Sequence, residues 1–204
     1  MSTNRFLLLA VAVVLGLGVG LYTLQGAPDA PPAVKTATLL PAPLDIPDFS
    51  LLDQDANPVG RTFFEGQWDL VFFGFTHCPD ICPTTLQTLS VARRMLVEDG
   101  FENPPRIVLV SVDPARDTPD KVKTYVEYFG EDVAGLTGAE DALRELTDGL
   151  GIFFQREQTD AENYNVDHSA VVLVLNPAGQ FTALFSAPHR PDTFVNDLPG
   201  IFAL

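Results

Sequence analysis

The sequence predicts an α/β sandwich built around a mixed central sheet. Two nearly continuous apolar runs, at 69–75 and 106–112, are typical of buried central strands. Each is followed by a segment with helical spacing of its apolar residues, about 83–97 after the first run and 118–129 after the second. Near the end, two more apolar runs flank a turn sequence at 176–179, which indicates a hairpin. Alternating strands and helices followed by a hairpin give a sheet with both parallel and antiparallel strands.

Residues 1–25 are expected to form a membrane anchor. The uncharged run from Phe6 to Leu24 has about the length that crosses a bilayer, roughly 20 apolar residues. The residues after it make a poor cleavage site, so the run is interpreted as an uncleaved anchor rather than a signal peptide. Arg5 on the short side predicts a cytoplasmic N-terminus and an exported remainder.

Residues 26–47 are predicted to be a proline-rich tether, and residues 48–204 a single folded domain. The tether has few large apolar residues, so we expect an extended segment without a core of its own. Within the domain, Thr118 and Pro119 match a helix start, with a capping hydroxyl and a proline at the first helical position. The remaining predicted elements are a helix over 139–150, a strand over 152–155 and a last helix over 191–204.

The charge of the chain is strongly negative. Asp and Glu number 27 and Lys and Arg 12, for a net charge of −15 at pH 7. Nucleic-acid binding needs clustered basic residues, so that class of function is excluded. The acidity is compatible with cationic partners or metal cations, and equally with a simply solvated acidic surface.

The only two cysteines, Cys78 and Cys82, lie between the first buried strand and the first helix. Residues four apart share one face of a helix, so both sulfurs can turn toward the same volume. The positive end of the helix dipole favours thiolate, the form that attacks disulfides and also binds metals. The pair can therefore be a structural disulfide, a redox couple or part of a soft-metal site.

Three histidines can complete such a site. His168 directly precedes the hairpin, on a loop that can face the cysteine helix. His77 adjoins Cys78 but should point away from it, so it is interpreted as a group beside the ligands or on the surface. His189 lies in a turn and is interpreted as a surface residue. Spacing alone leaves His168 undecided between ligand and ordinary side chain.

Several carboxylates surround these residues in the sequence. Asp113 is interpreted as ending a strand, and Asp117 as organising, with Thr118, the start of the second helix. Asp80 and Asp167 adjoin the candidate ligands and are interpreted as groups that orient them or tune their charge.

Three segments together closely resemble the Sco/SenC family: Phe73–Pro83, Ser111–Thr118 and Val166–Ser169. The family consists of membrane-tethered, thioredoxin-like proteins that bind copper and help to assemble the Cu(A) centre of cytochrome c oxidase. The resemblance covers the whole exported domain and the order of anchor and tether. It implies a thioredoxin-like sandwich, and the oxidase subunit that carries Cu(A) as partner.

The resemblance further implies that Cys78, Cys82 and His168 are copper ligands. Two thiolates and one imidazole form a soft set that suits Cu(I) and can also hold Cu(II). A structural zinc site usually has a fourth protein ligand, and the sequence shows none. We therefore favour the interpretation of the protein as a metallochaperone over its interpretation as an enzyme.

Two alternatives share the same residues. The Cys78–Cys82 pair can serve a thiol–disulfide oxidoreductase that reduces the Cu(A) cysteines, or a redox or copper sensor. A copper donor or a thiol reductant protein is then a further expected partner. The leader lacks a basic, serine-rich transit segment, which predicts a bacterial inner-membrane protein with its soluble domain in the periplasm.

Overall fold

The computed structural model describes residues 33–157 and 164–204. The predicted anchor at residues 1–25 lies outside the described residues. Among the helices that the structure does describe, none combines the length and the apolarity needed to span a membrane. The elements are β1 Thr38–Asp45, β2 Leu51–Asp53, β3 Pro58–Val59, a 3-10 turn Arg61–Phe64, β4 Asp69–Gly74, α1 Ile81–Glu98, β5 Arg106–Ser111, α2 Pro119–Glu127, β6 Val133–Thr137, α3 Glu140–Leu150, β7 Phe154–Arg156, β8 Val166–His168, β9 Val171–Leu175, β10 Gln180–Ser186 and α4 Pro191–Phe202.

The predicted mixed central sheet is confirmed. Among the described residues, the strands of this sheet run in the order β1-β10-β9-β4-β5-β6-β2-β3. The β4, β5 and β6 strands are parallel, whereas β9 pairs antiparallel with β4 and β10 antiparallel with β9. Every residue of β4 is buried, as its apolar sequence predicts for a central strand. The carboxyl ends of β4 and β5 therefore meet at one edge of the sheet, where open α/β folds place their sites.

The helices pack closely against this sheet and against each other. Helix α1 contacts α4, and Trp68 ahead of β4 stacks on Phe202 of α4 with ring centroids 4.6 Å apart. Helix α2 approaches β6 at Gly135, where a Cβ would lie only 2.2 Å from Cγ1 of Val122. Glycine is thus required at this position by the close approach of the helix.

The predicted boundary between tether and domain at residue 48 is wrong. Strand β1 lies within the predicted tether and pairs antiparallel with β10 at the edge of the sheet. Just ahead of it, the backbone N–H groups of residues 35–37 donate to the buried carboxylate of Asp197 at 2.6–3.0 Å. Pro41 and Pro43 fall where the register of β1 shifts, and an edge strand with a bulge tolerates prolines. The prolines therefore mark an edge strand rather than a free spacer.

Other elements differ from prediction in detail. Strand β6 was not predicted, because its short sequence carries two small residues, Ala134 and Gly135. The strand predicted at 152–155 begins two residues later and pairs with β8 in a separate two-stranded sheet. Helix α1 begins at Ile81 rather than near Pro83, which places Cys82 inside its first turn.

Candidate metal centre

The cysteine segment follows β4 directly and enters α1. Gly74 ends β4, and its missing side chain leaves space that the Cys82 sulfur occupies, since a Cβ there would lie 2.9 Å from Cys82 Sγ. The Cys78 N–H donates to the Phe75 carbonyl at 3.2 Å, which folds the loop into a turn. The first turn of α1 then carries Cys82 back over the end of β4.

The two cysteines are buried and unbridged. Cys82 is fully inaccessible and Cys78 is 8% exposed, so only Cys78 has a contact with solvent. The backbone N–H of Cys82 donates to Cys78 Sγ at 3.4 Å. A free N–H at a helix start thus stabilises negative charge on the Cys78 sulfur.

His168 ends β8 and reaches the cysteines from the other side. Its Nε2 lies 3.5 Å from Cys82 Sγ, and its Nδ1 lies 3.3 Å from the Ser169 carbonyl oxygen. The contact with this carbonyl orients the ring so that Nε2 faces the sulfurs. The rings of Phe72 and Phe75 contact the imidazole edge-on, with centroids 5.8 and 5.9 Å away, and fix its plane.

The predicted site residues are therefore brought together by the fold. The ligand atoms of Cys78, Cys82 and His168 all lie within 4.8 Å of one another, a separation that one ion can bridge. Two sulfurs and one imidazole nitrogen form a donor set for a soft metal ion. Among the histidine, cysteine, aspartate and glutamate side chains of the described residues, these three form the cluster whose geometry could hold a metal ion.

The two thiols share their protons unequally. The hydrogen bond from Cys82, with smaller help from His168 and two backbone N–H groups, lowers the pKa of Cys78 to about 4 despite burial. The same hydrogen bond and the burial raise the pKa of Cys82 far above its usual range. This hydrogen bond therefore favours the thiolate form at Cys78 and the thiol form at Cys82.

The neighbouring carboxylates predicted to tune the site do not face it. Asp80 and Asp167 are both exposed, and Asp167 points away from His168 because successive residues of a strand alternate in direction. Asp80 accepts a long hydrogen bond of 3.4 Å from Thr84 Oγ1. Neither carboxylate contributes charge directly to the ligand cluster.

Asp117 has a role that the sequence did not reveal. Thr118 occupies the N-cap of α2 and Pro119 its first turn, as predicted. The expected side-chain contribution of Asp117 and Thr118 is wrong, because among the described residues no side chain caps this N-terminus. Instead, the buried Asp117 carboxylate accepts hydrogen bonds from the Thr76 N–H at 2.9 Å, the Thr76 hydroxyl at 2.6 Å and the Ser111 hydroxyl at 2.6 Å. It thereby joins the end of β5 to the cysteine segment.

The other two histidines lie outside the cluster. His77 is partly exposed, as predicted, and its Nδ1 lies 3.1 Å from the Thr76 hydroxyl. His189 was predicted to be on the surface, which is wrong. Both of its ring nitrogens are inaccessible to solvent, its ring lies against Phe194, and burial lowers its pKa against the opposing effect of a backbone hydrogen bond with Ala170.

Comparison with known families agrees with this architecture. The family model described as SCO1/SenC matches residues 40–203, which includes every strand and helix from β1 to α4 except the first residues of β1. The chain belongs to the SCO1/SenC family. Its α/β fold with a mixed central sheet is accordingly the thioredoxin-like fold of Sco structures.

Three similar proteins illustrate the relationship to other Sco proteins. A Stutzerimonas stutzeri protein, named for copper binding, is 38% identical over 163 residues, covering 80% of this chain and 79% of that protein. The mitochondrial SCO2 homolog of Bos taurus is 35% identical over 166 residues, covering 80% of this chain but 62% of its own length. The crystal structure of Arabidopsis thaliana ScoI with copper bound has 30% identity and a TM-score of 0.73, covering 78% of this chain and 98% of that one.

Proposed function

We propose that this protein is a metallochaperone that binds one copper ion through Cys78, Cys82 and His168. The observation that carries the proposal is the convergence of these three ligand atoms within 4.8 Å at the carboxyl edge of the sheet. Thiolate and imidazole ligands suit Cu(I) and also accommodate Cu(II), whereas structural zinc sites usually have four protein ligands. The copper-bound Arabidopsis thaliana structure and the copper-binding Stutzerimonas stutzeri relative support copper as the metal.

The protonation of the site determines what copper binding does chemically. The lowered pKa of Cys78 favours the deprotonated form that binds metal, whereas Cys82 must lose its proton before its sulfur can bind. Binding of one copper ion therefore releases one proton from Cys82. The half-buried His168 and the slightly exposed Cys78 leave one side of the ion open to an incoming ligand. This arrangement suits transfer of copper to a partner protein. We propose that the recipient is the Cu(A)-bearing subunit of cytochrome c oxidase.

An anaerobic copper titration of the reduced protein tests the assignment. The wild type should bind one copper ion tightly, and His168→Ala should weaken binding at least about tenfold, since even groups that only orient a ligand account for that much. His77→Ala is the matched control, because His77 adjoins Cys78 but lies outside the cluster. Unchanged affinity in His168→Ala, or an equal loss in both variants, would refute the ligand assignment.

A second function, thiol–disulfide exchange, is favoured by the lowered pKa of Cys78. Its thiolate can attack a partner disulfide and form a mixed disulfide, releasing one partner thiolate. Cys82, after losing its proton, then attacks the Cys78 sulfur and releases the second partner thiolate, so that two electrons pass to the partner. A dithiol protein must afterwards reduce the Cys78–Cys82 disulfide. We expect His168→Ala to retain this activity, and the oxidised wild type to bind little copper, which separates the two functions.

The proposed location is the bacterial inner membrane, with the domain in the periplasm. The uncharged run from Phe6 to Leu24 and the preceding Arg5 support it. Protease added to spheroplasts should digest the domain while a cytoplasmic marker stays intact. Recovery of the full-length chain in the soluble fraction would contradict the anchor.

A further inference from the structure

A short loop, residues 113–117, lies between the two segments that carry the proposed copper ligands. It connects β5 to α2 and folds back on itself, because the backbone N–H groups of Arg116 and Asp117 both donate to the Asp113 carbonyl, at 3.1 and 2.9 Å. The side chains of Asp113 and Asp117 are both buried, at 2% and 1% exposure. Buried carboxylates need hydrogen-bond donors, and the donors here come from different parts of the chain.

One end of this loop holds the cysteine segment. The Asp117 carboxylate binds both the backbone and the hydroxyl of Thr76, as described above, and Thr76 lies two residues before Cys78. Backbone pairing continues beside it, since the Val112 N–H donates to the Gly74 carbonyl at 2.8 Å. The path of the chain into the cysteines is thus fixed from the 113–117 loop.

The other end holds the histidine segment. The hydroxyl of Tyr164 donates to Asp113 Oδ1 at 2.7 Å, and Nε of Arg116 donates to Asp113 Oδ2. The guanidinium of Arg116 lies 3.6 Å from the centroid of the Tyr164 ring, and that of Arg156 lies 5.2 Å from the same ring. Tyr164 is consequently held by the hydrogen bond of its hydroxyl and by the guanidinium groups that approach its ring.

Tyr164 lies four residues before His168, on the segment that leads into β8. The intervening residues enter β8, which pairs with β7. The Arg116 guanidinium also lies 5.7 Å from the Phe75 ring, and Phe75 contacts the imidazole of His168 edge-on. The loop therefore reaches His168 both along the chain and through packed side chains.

We propose that the 113–117 loop sets the distance between the cysteine pair and His168, with Asp113 and Tyr164 as positioning residues for the histidine. The inference rests on the proposed copper function and adds residues that do not touch the metal. Cys82 and His168 are 86 positions apart in the sequence, so their 3.5 Å contact depends on what holds the two segments together. A ligand held in place binds metal more tightly, because less freedom is lost when the bond forms.

Tyr164→Phe in the full-length reduced protein tests this directly. It removes the hydroxyl that bonds to Asp113 while keeping the ring that the guanidinium groups of Arg116 and Arg156 approach. Tyr128→Phe is the matched control, since Tyr128 is 82% exposed. Loss of a group bonded directly to a metal ligand typically costs about 10–100-fold in metal affinity. Tyr164 acts on His168 through the chain, so we expect the lower end of this range, about tenfold, in Tyr164→Phe and no change in Tyr128→Phe. In a His168→Ala background, Tyr164→Phe should have no further effect on copper affinity.

A measurement without copper keeps the inference independent of the proposed function. In the nuclear magnetic resonance spectrum of the apo protein, the His168 ring signals should shift in Tyr164→Phe, because the imidazole moves relative to Phe72 and Phe75. Unchanged ring signals would overturn the inference whether or not the wild type binds copper. An equal loss of copper affinity with and without His168 would also overturn it, because the effect would then be general destabilisation. A wild type that binds no copper, with shifted ring signals, would overturn the proposed function alone.

Discussion

Gly74 provides a direct test of how tightly the cysteine site is packed against the sheet. A Cβ at this position would lie 2.9 Å from Cys82 Sγ and 2.9 Å from Cε1 of Phe72. Non-bonded carbon atoms prefer separations of about 3.5–4.0 Å, so Gly74→Ala must displace a buried neighbour by about 0.6 Å or more. Both neighbours are fully buried, which leaves them little room to move.

We expect two consequences of Gly74→Ala. Overpacking should lower the free energy of unfolding by about 1–3 kcal/mol, measured by urea unfolding of the reduced apo protein. Copper affinity should also fall, because metal sites tolerate ligand distances only within about 0.2 Å and the Cys82 sulfur is one of the displaced atoms. Anaerobic titration against a competing copper ligand measures this second effect.

Gly135→Ala is the matched control. Its Cβ would lie 2.2 Å from Cγ1 of Val122, in the contact between α2 and β6 and apart from the sulfurs. It should destabilise the fold at least as much while leaving copper affinity unchanged. The packing argument is refuted if Gly74→Ala binds copper as tightly as the wild type. An equal loss of copper affinity in both variants would attribute the effect to general instability.

Three further predictions concern buried charges. Burial raises the pKa of Asp69 to about 6 against the opposing bonds from Arg106, so Arg106→Ala should leave an unpaired carboxylate and cost about 3–5 kcal/mol near neutral pH. A carboxyl group with a raised pKa costs stability as the pH rises through that pKa and the group becomes charged. The difference in unfolding free energy between the wild type and Arg106→Ala, measured in urea, should therefore be larger at about pH 8 than at about pH 5. Equal differences at the two pH values would contradict this. The lowered pKa of Cys78 predicts that the reduced protein retains the ultraviolet absorbance of one thiolate at mildly acidic pH. Cys82→Ala should raise the pH at which this thiolate forms, because it removes the hydrogen bond from Cys82. A wild-type thiolate that appears only near the usual pKa of 9.0 would contradict the prediction. Asp197→Ala removes the acceptor of three backbone N–H groups ahead of β1 and should lower the free energy of unfolding by at least about 1–3 kcal/mol. Copper affinity should be unchanged. A variant as stable as the wild type would show that this contact does not hold β1.

Much of the fold could be predicted because its central elements have strong local patterns. Strands β4, β5 and β9 are nearly continuous apolar runs, and α3 begins and ends within one residue of the prediction. The missed strands, such as β1 and β6, are short or carry prolines and glycine. Their backbones are extended because a neighbouring strand supplies hydrogen bonds, and no local pattern encodes that neighbour.

The candidate metal centre was predictable to a different degree for its three proposed ligands and for the groups around them. Cys78 and Cys82 are close in sequence, so their spacing alone predicted a shared site. His168 was singled out by its position before the hairpin and by the family resemblance. The contact between Asp117 and Thr76 was missed, because a carboxylate beside a helix start ordinarily indicates a cap.

The sequence by itself determined the thiol pair, the apolar strands that place it at the edge of a sheet, and the membership of a copper-binding family. Only the tertiary structure decided which atoms meet. It placed the His168 imidazole 3.5 Å from Cys82 Sγ and turned Asp167 outward. It also bonded Asp113 to Tyr164, ahead of His168, and Asp117 to Thr76, ahead of Cys78. Patterns in the chain reflect local backbone preference and burial, whereas these contacts join residues tens of positions apart and depend on how the whole sheet is assembled.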